Sequence, residues 1–214
     1  MYLKHSPVCE CNRPDGKSTT MKKDFPVVCV GGSAGGLNAY IDIIRNLPPN
    51  LGVAIVIVHH MAHALTSLNK ILPRYTEMPI NIISDGLCIQ PNCIYIIPSK
   101  CDLHVLYGGF HLRPISKFAG WPDVITILLR SLTQNWRGKL VAVIVSGLDG
   151  DGAESLRGIK KVGGVTIAQT PETAEWSDMP ESAMKTGYID YVLSCEDIAQ
   201  KIVQIARTFP GTAS

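Results

Sequence analysis

From Phe25 onward, short apolar runs bounded by glycine-containing polar turns alternate with stretches whose apolar residues recur every three or four positions. The runs read as strands and the stretches as helices, because side chains repeat every two positions in one and every 3.6 in the other. Residues 27–30 (VVCV), 53–58 (VAIVIV) and 140–145 (LVAVIV) are apolar without alternation, as are parallel strands covered on both faces. Residues 38–47, 65 to about 75, 123–136, 153–162 and 196–207 carry helical spacing. The order predicts an α/β fold, a doubly wound parallel sheet in a three-layer α/β/α (Rossmann-like) arrangement. Its middle departs from that order: residues 93–97, 102–107 and 110–114, with Gly108-Gly109 between the last two, read as an inserted antiparallel β-hairpin at an edge or as a flap. In helix 123–136, Leu128, Leu129 and Leu132 have core spacing, which makes that stripe packing and not a binding surface.

Residues 1–24 hold Lys4, Arg13, Lys17, Lys22 and Lys23 among few apolar positions, so a flexible, mildly basic tail is expected before a domain of residues 25–207, with 208–214 as a C-terminal tail. No apolar run nears the roughly 18 residues that a membrane span needs. Twenty Lys and Arg against eighteen Asp and Glu leave a net charge of +2, far short of the basic excess that phosphate-backbone binding demands, so nucleic acid is not an expected partner. The seven cysteines are an odd set, and Cys29 falls within an apolar run; they read as a buried thiol plus scattered neighbours, not a disulfide framework. Cys9-Glu10-Cys11 is too closely spaced for a zinc ligand pair. The first residues show no secretory pattern, which implies a cytoplasmic protein with reduced thiols.

Ligands of open parallel sheets bind beyond the carboxyl ends of the strands. There the chain offers Gly31-Gly32-Ser33-Ala34-Gly35-Gly36 after the first apolar run, His59-His60-Met61 after the second, and Ser146-Gly147-Leu148-Asp149-Gly150-Asp151-Gly152 after LVAVIV. The glycine turn fits either a phosphate cradle or a nucleophile elbow presenting Ser33; the dinucleotide and Walker spacings both fail, because position 33 is Ser and no Lys follows the glycines. A serine needs a base, and alternation along a strand lets only one of His59 and His60 face it. The other histidine is structural, and His63 is a loop or cap residue. Asp149 and Asp151 both remain available to orient an imidazole. Asp151 also suits a cap on the helix near Ala153. A calcium loop is not expected from Asp149, since its sixth and twelfth positions hold Glu154 and Lys160.

Taken together, these loops resemble the catalytic domain of the chemotaxis protein-glutamate methylesterases, the CheB-type family, over about residues 25–207. Members carry a Gly-x-Ser-[Thr/Ala]-Gly-Gly turn, a strand ending in His-Met, and a Gly-Met-Gly-x-Asp-Gly-Ala segment. Here these are Gly31 to Gly36, His60-Met61 and Gly147 to Ala153. Pro91-Asn92 with Ile94-Tyr95-Ile96 and Pro98, Gly163-Gly164 before residues 165–169, and Met179-Pro180 with Ser182-Ala183 agree as well. The resemblance implies Ser33 as nucleophile, His60 as base and Asp151 as its orienting carboxylate. It implies an oxyanion and substrate site near Ala34, Gly35, Leu148 and Met179, and neither metal nor organic cofactor. The implied reaction removes methyl esters from glutamate side chains of receptor or other signalling proteins, with deamidation of receptor glutamines as a second activity. A methyltransferase or a separate response regulator is the implied further partner, and a non-catalytic module that binds a signalling protein through the same cleft is the alternative. Three features depart from the family pattern. The 24 residues before the domain are too few for a receiver domain, so no phosphorylation control in cis is expected. Ala34 lacks the hydroxyl of Thr, and Leu148 and Asp149 replace Met and Gly, which extends the implied substrates beyond chemotaxis receptors.

Overall fold

The computed structural model describes residues 25–59, 65–116 and 122–209; residues 1–24 and 210–214, His60, Met61 and His63 lie outside the described residues, and Thr208, expected in the C-terminal tail, ends the last helix. In chain order the elements are β1 (Val27–Gly32), α1 (Gly36–Ile44), β2 (Ala54–His59), α2 (Leu65–Ile71), β3 (Ile80–Ile82), β4 (Cys93–Ile96), β5 (Cys101–Leu106), β6 (Gly109–Pro114), α3 (Val124–Asn135), β7 (Leu140–Ile144), α4 (Leu156–Lys161), β8 (Val165–Gln169), α5 (Asp178–Lys185), β9 (Tyr191–Leu193) and α6 (Cys195–Thr208). Seven strands form one sheet in the order β3-β4-β2-β1-β7-β8-β9, and each pairing in it is parallel. The chain winds outward from β1 through β2 and then returns to the other side of β1 at β7. The crevice between those two directions is the topological switch point, where open sheets bind ligands.

Strand alternation divides the core in two. Val27, Cys29, Ala54, Val56, Val58, Ala142 and Ile144 face α3, α4 and α5. Val28, Val30, Ile55, Ile57, Val141, Val143 and Val145 face α1 and α6. Both faces of the central strands are covered, which is why their sequence runs apolar without alternation.

The sheet differs from the expectation in its middle. Residues 93–96 are not part of the hairpin: β4 pairs with β2 and β3 in the parallel sheet, with Ile94, Tyr95 and Ile96 buried. Proximity in sequence to the hairpin hid an ordinary inner strand. The hairpin, β5 with β6 in antiparallel register, is a separate two-stranded sheet and not an edge of the main one. It buries Leu103, Val105 and Phe110 and is tied to α3 by Val105, whose N–H donates to Ser131 Oγ at 2.8 Å. Three elements have no counterpart among the periodic stretches: β3 and β9, each three residues long, and α5, whose Pro180 sits in the first turn where no backbone N–H is lost from the ladder. Helix α2 ends at Ile71 and tightens into a 3₁₀ turn at Leu72–Arg74 because Pro73 cannot continue an α-helix. Cys29, Cys93, Cys101 and Cys195 are free thiols.

Candidate active site

Strands β1, β2 and β7 end level with one another. Register sets Gly32 beside His59 and Gly31 beside Ile144, so the next few residues of each chain segment leave the sheet side by side. Only glycine fits at the end of β1. A Cβ on Gly31 would stand 2.8 Å from Ile125, and one on Gly32 2.7 Å from Tyr40 Oη and from Val145, well inside contact distance. The turn then needs Gly35 in the left-handed region, φ 71°, where a side chain is disfavoured. The result is a sharp strand-to-helix bend with Ser33 at its apex and the N-terminus of α1 directly after it.

Ser33 is 1% exposed. Its N–H donates to Ser146 O at 2.9 Å, and its own carbonyl accepts from Gly36 N at 3.0 Å. Met179 and Gly147 cover it: a Cβ on Gly147 would fall 2.0 Å from Met179 Sδ and 3.0 Å from Ser33 Cβ. Ala34 and Gly35 are half-buried, and Leu148 is exposed on the rim at 42%.

Asp151 is buried and takes a place that local sequence did not disclose. Its two carboxylate oxygens accept from Ile125 N at 2.7 Å and Thr126 N at 2.9 Å, the first turn of α3. A carboxylate suits that end of a helix because unpaired N–H groups and the helix dipole both favour negative charge. Asp151 therefore caps α3 from across the site and not the turn at Ala153, which has no side-chain cap. Asp149 does a different job: its Oδ1 accepts from Asp151 N at 2.9 Å, bending the loop that delivers Asp151. Gly152, at φ 90°, closes the bend against Ile125 and Ile144, and its N–H donates to Thr126 Oγ1 at 2.9 Å. The thiol of Cys29 lies in the same interior. Burial first and the Asp151 charge second push its pKa above the ordinary thiol range, so it stays protonated and is no competing nucleophile.

His59 belongs to the opposite face. It stands 3.1 Å from Tyr40 Oη through Nδ1, with the rings edge to face at 5.8 Å. The Tyr40 hydroxyl also reaches Val58 O at 3.4 Å, and burial raises its pKa, keeping it a neutral donor. On that side of Gly35 a groove of about 380 Å³ carries the carboxylates of Asp42, Glu172, Glu175 and Glu196, with Arg45 the cation paired to Asp42 and Glu196. Such a lining repels phosphate, which removes the cradle reading of the glycine turn. Among the described residues, no cluster of three or more His, Cys, Asp or Glu side chains is arranged to hold a metal.

Sequence reasoning missed the polar core beneath the turn. Ser146 is 1% and Gln169 3% exposed, and both lie just where an apolar run ends. A polar residue at the carboxyl end of a buried strand was the available signal, since a buried polar group must find partners.

A family model described as CheB methylesterase matches residues 28–202. A Rhizobium meliloti protein named protein-glutamate methylesterase/protein-glutamine glutaminase of group 3 operon is 31% identical over 198 residues, covering 88% of this chain and 54% of the relative. A Thermotoga maritima protein-glutamate methylesterase/protein-glutamine glutaminase is 32% identical over 184 residues, covering 84% and 54%. The chain thus spans about half the length of these two relatives, whereas a Leptospira interrogans relative, 31% identical, is covered over 95% of its length. The crystal structure of the Thermotoga maritima CheB methylesterase catalytic domain superposes with a TM-score of 0.78 at 31% identity, covering 84% of this chain and 97% of that one.

Proposed function

The chain belongs to the CheB methylesterase family, and on that premise we propose that it hydrolyses glutamate methyl esters on a signalling protein, with Ser33, His60 and Asp151 as the reacting and orienting groups. The observation that carries the reading is the convergence at one sheet end of a glycine-forced turn bearing Ser33 with the buried carboxylate of Asp151. His60 is the base because His59, its neighbour, is engaged by Tyr40 on the other face.

Ser33 Oγ attacks the ester carbonyl carbon as His60 accepts the hydroxyl proton. The carbonyl electrons move onto oxygen, and the amides of Ala34 and Gly35 at the start of α1 hold that oxyanion, each well-placed donor contributing about 3 kcal/mol. Collapse expels methoxide, which takes the proton from His60 and leaves as methanol. Water, deprotonated by the same imidazole, then attacks the glutamyl ester of Ser33; the bond to Ser33 Oγ breaks, the departing alkoxide takes the proton back from His60, and the glutamic acid side chain is released. Asp151 holds the imidazole in orientation and stabilises its cationic form. The same acyl chemistry with ammonia as leaving group deamidates glutamine, the second activity in the relatives' names. Neither half-reaction calls for a metal or an organic cofactor.

Leu148 and Met179 shape the entrance. Leu148 and Trp176 are both exposed and offer apolar surface to a helical or extended substrate segment. The substrate is a methylated receptor or another protein esterified by a partner methyltransferase, with a separate response regulator as the source of control, and the reaction takes place in the cytoplasm. Among the described residues, no helix is long and apolar enough to cross a membrane.

Methanol release from a methyl-esterified receptor tests the reading. Turnover is expected in the wild type and in His59→Ala, and is expected to vanish in Ser33→Ala and His60→Ala. Methanol release that survives Ser33→Ala would overturn it.

A further inference from the structure

We infer that Ser146 is a positioning residue for the nucleophile turn, held in place by Gln169; the inference rests on Ser33 being the nucleophile. Every polar group of Ser146 is used, and each bond reaches a segment that borders the site. Its carbonyl accepts from Ser33 N at 2.9 Å, continuing the β1–β7 ladder beyond the strands. Its hydroxyl donates to Ala34 O at 2.8 Å and accepts from Trp176 N at 3.0 Å. Its N–H donates to Gln169 Oε1 at 3.0 Å.

Gln169 cannot rotate away from this role. Its Nε2 donates to Thr173 O at 2.9 Å and to Thr173 Oγ1 at 3.3 Å, which fixes which end of the amide faces Ser146. The loop carrying Trp176 returns to the site through Gly147 N to Trp176 O and Met179 N to Gly147 O, both 3.1 Å. One buried hydroxyl therefore joins the nucleophile turn, the end of β7 and the segment leading into α5.

The bond to Ala34 O has a specific consequence for catalysis. In a trans peptide the C=O and the following N–H point in opposite directions, and the described chain has no cis peptide. Holding Ala34 O toward the interior turns the Gly35 N–H away from Ser146. The direction of an amide assigned to the oxyanion is thus set by a side chain that touches no substrate. A ground-state carbonyl gains little from that direction and a tetrahedral oxyanion gains much, so the effect belongs in kcat and not in KM.

The experiment compares wild type, Ser33→Ala, Ser146→Ala and Gln169→Leu for kcat and KM in methanol release, with circular dichroism and melting temperature to establish folding. Ser146→Ala is expected to lower kcat about 10- to 100-fold, the scale of an ångström-level misplacement, with KM within about two-fold. Gln169→Leu, which leaves the Ser146 hydroxyl in place but removes its brace, is expected to lower kcat about three- to ten-fold in the same manner. Folded Ser146→Ala with wild-type kcat, or with KM alone raised, overturns the inference. Where Ser146→Ala does not fold, Gln169→Leu decides by the same criterion. Full activity in Ser33→Ala would overturn the nucleophile reading and, with its premise gone, this inference as well.

Discussion

The two faces of the sheet meet their polar groups differently at the carboxyl ends of β1, β2 and β7. On the α1 side, His59 is bonded to Tyr40, and the tyrosine hydroxyl adds the Val58 carbonyl; the two rings also pack edge to face. On the α3 side, Asp151 is met by two backbone N–H groups of a helix start, which orient the carboxylate at the positive end of a helix. A side-chain pair meets one polar group with another, whereas a helix terminus favours a negative charge placed against it. Two polar residues at the same end of the sheet thus meet different kinds of partner, a tyrosine hydroxyl for His59 and helix-start amides for Asp151.

The sharpest break between the faces is expected from the reacting groups. Ser33→Ala should abolish methanol release, and Asp151→Asn should lower kcat by about 10³- to 10⁴-fold because the imidazole loses its orienting charge. Steady-state kinetics on a methyl-esterified substrate reads both. Asp151→Ala should also cost about 2–4 kcal/mol of stability in urea unfolding, since Ile125 N and Thr126 N lose their acceptors. Next in size is Gly147→Ala. The new methyl would sit 2.0 Å from Met179 Sδ and 3.0 Å from Ser33 Cβ, so about 1–3 kcal/mol of destabilisation is expected together with a clear fall in kcat. On the other face, Tyr40→Phe should cost about 1 kcal/mol in unfolding and leave turnover within about three-fold. A large kcat loss in Tyr40→Phe would dissolve the distinction between the faces.

The smallest effect concerns a pair remote from both ends. Burial works against ionisation of Asp190, but the Lys160 ammonium and the Thr166 N–H and hydroxyl outweigh it, so its pKa lies below the ordinary value. A carboxyl depressed in the folded state adds stability above its unfolded pKa, near 3.9, and loses it as pH falls through the folded value. The melting-temperature gap between wild type and Asp190→Asn should therefore be present at neutral pH and shrink below about pH 4. The pair is partly exposed, so the gap is expected to be small.

Much of this architecture was legible in the chain. The apolar runs at β1, β2 and β7 announced buried parallel strands, and the glycines after β1 announced a turn with no room for side chains. The parity of β2 predicted that adjacent histidines part company; His59 lies on the Tyr40 face, and His60 falls outside the described residues. The three-residue strands β3 and β9 carry too few positions for a period to emerge, and β4 was masked by the hairpin that follows it.

The division has a physical cause. Periodicity and turn chemistry are local, acting over a few residues, so the sequence by itself determined the α/β class, the positions of the strand ends and the residue types gathered there. Partnership is not local. That Asp151 meets the start of α3, 25 and 26 positions away, and that Ser146 grips a carbonyl 112 positions earlier, follows only once the sheet order is set. Close packing and the demand that every buried polar group find a partner then select among the residues the chain has brought to the same crevice.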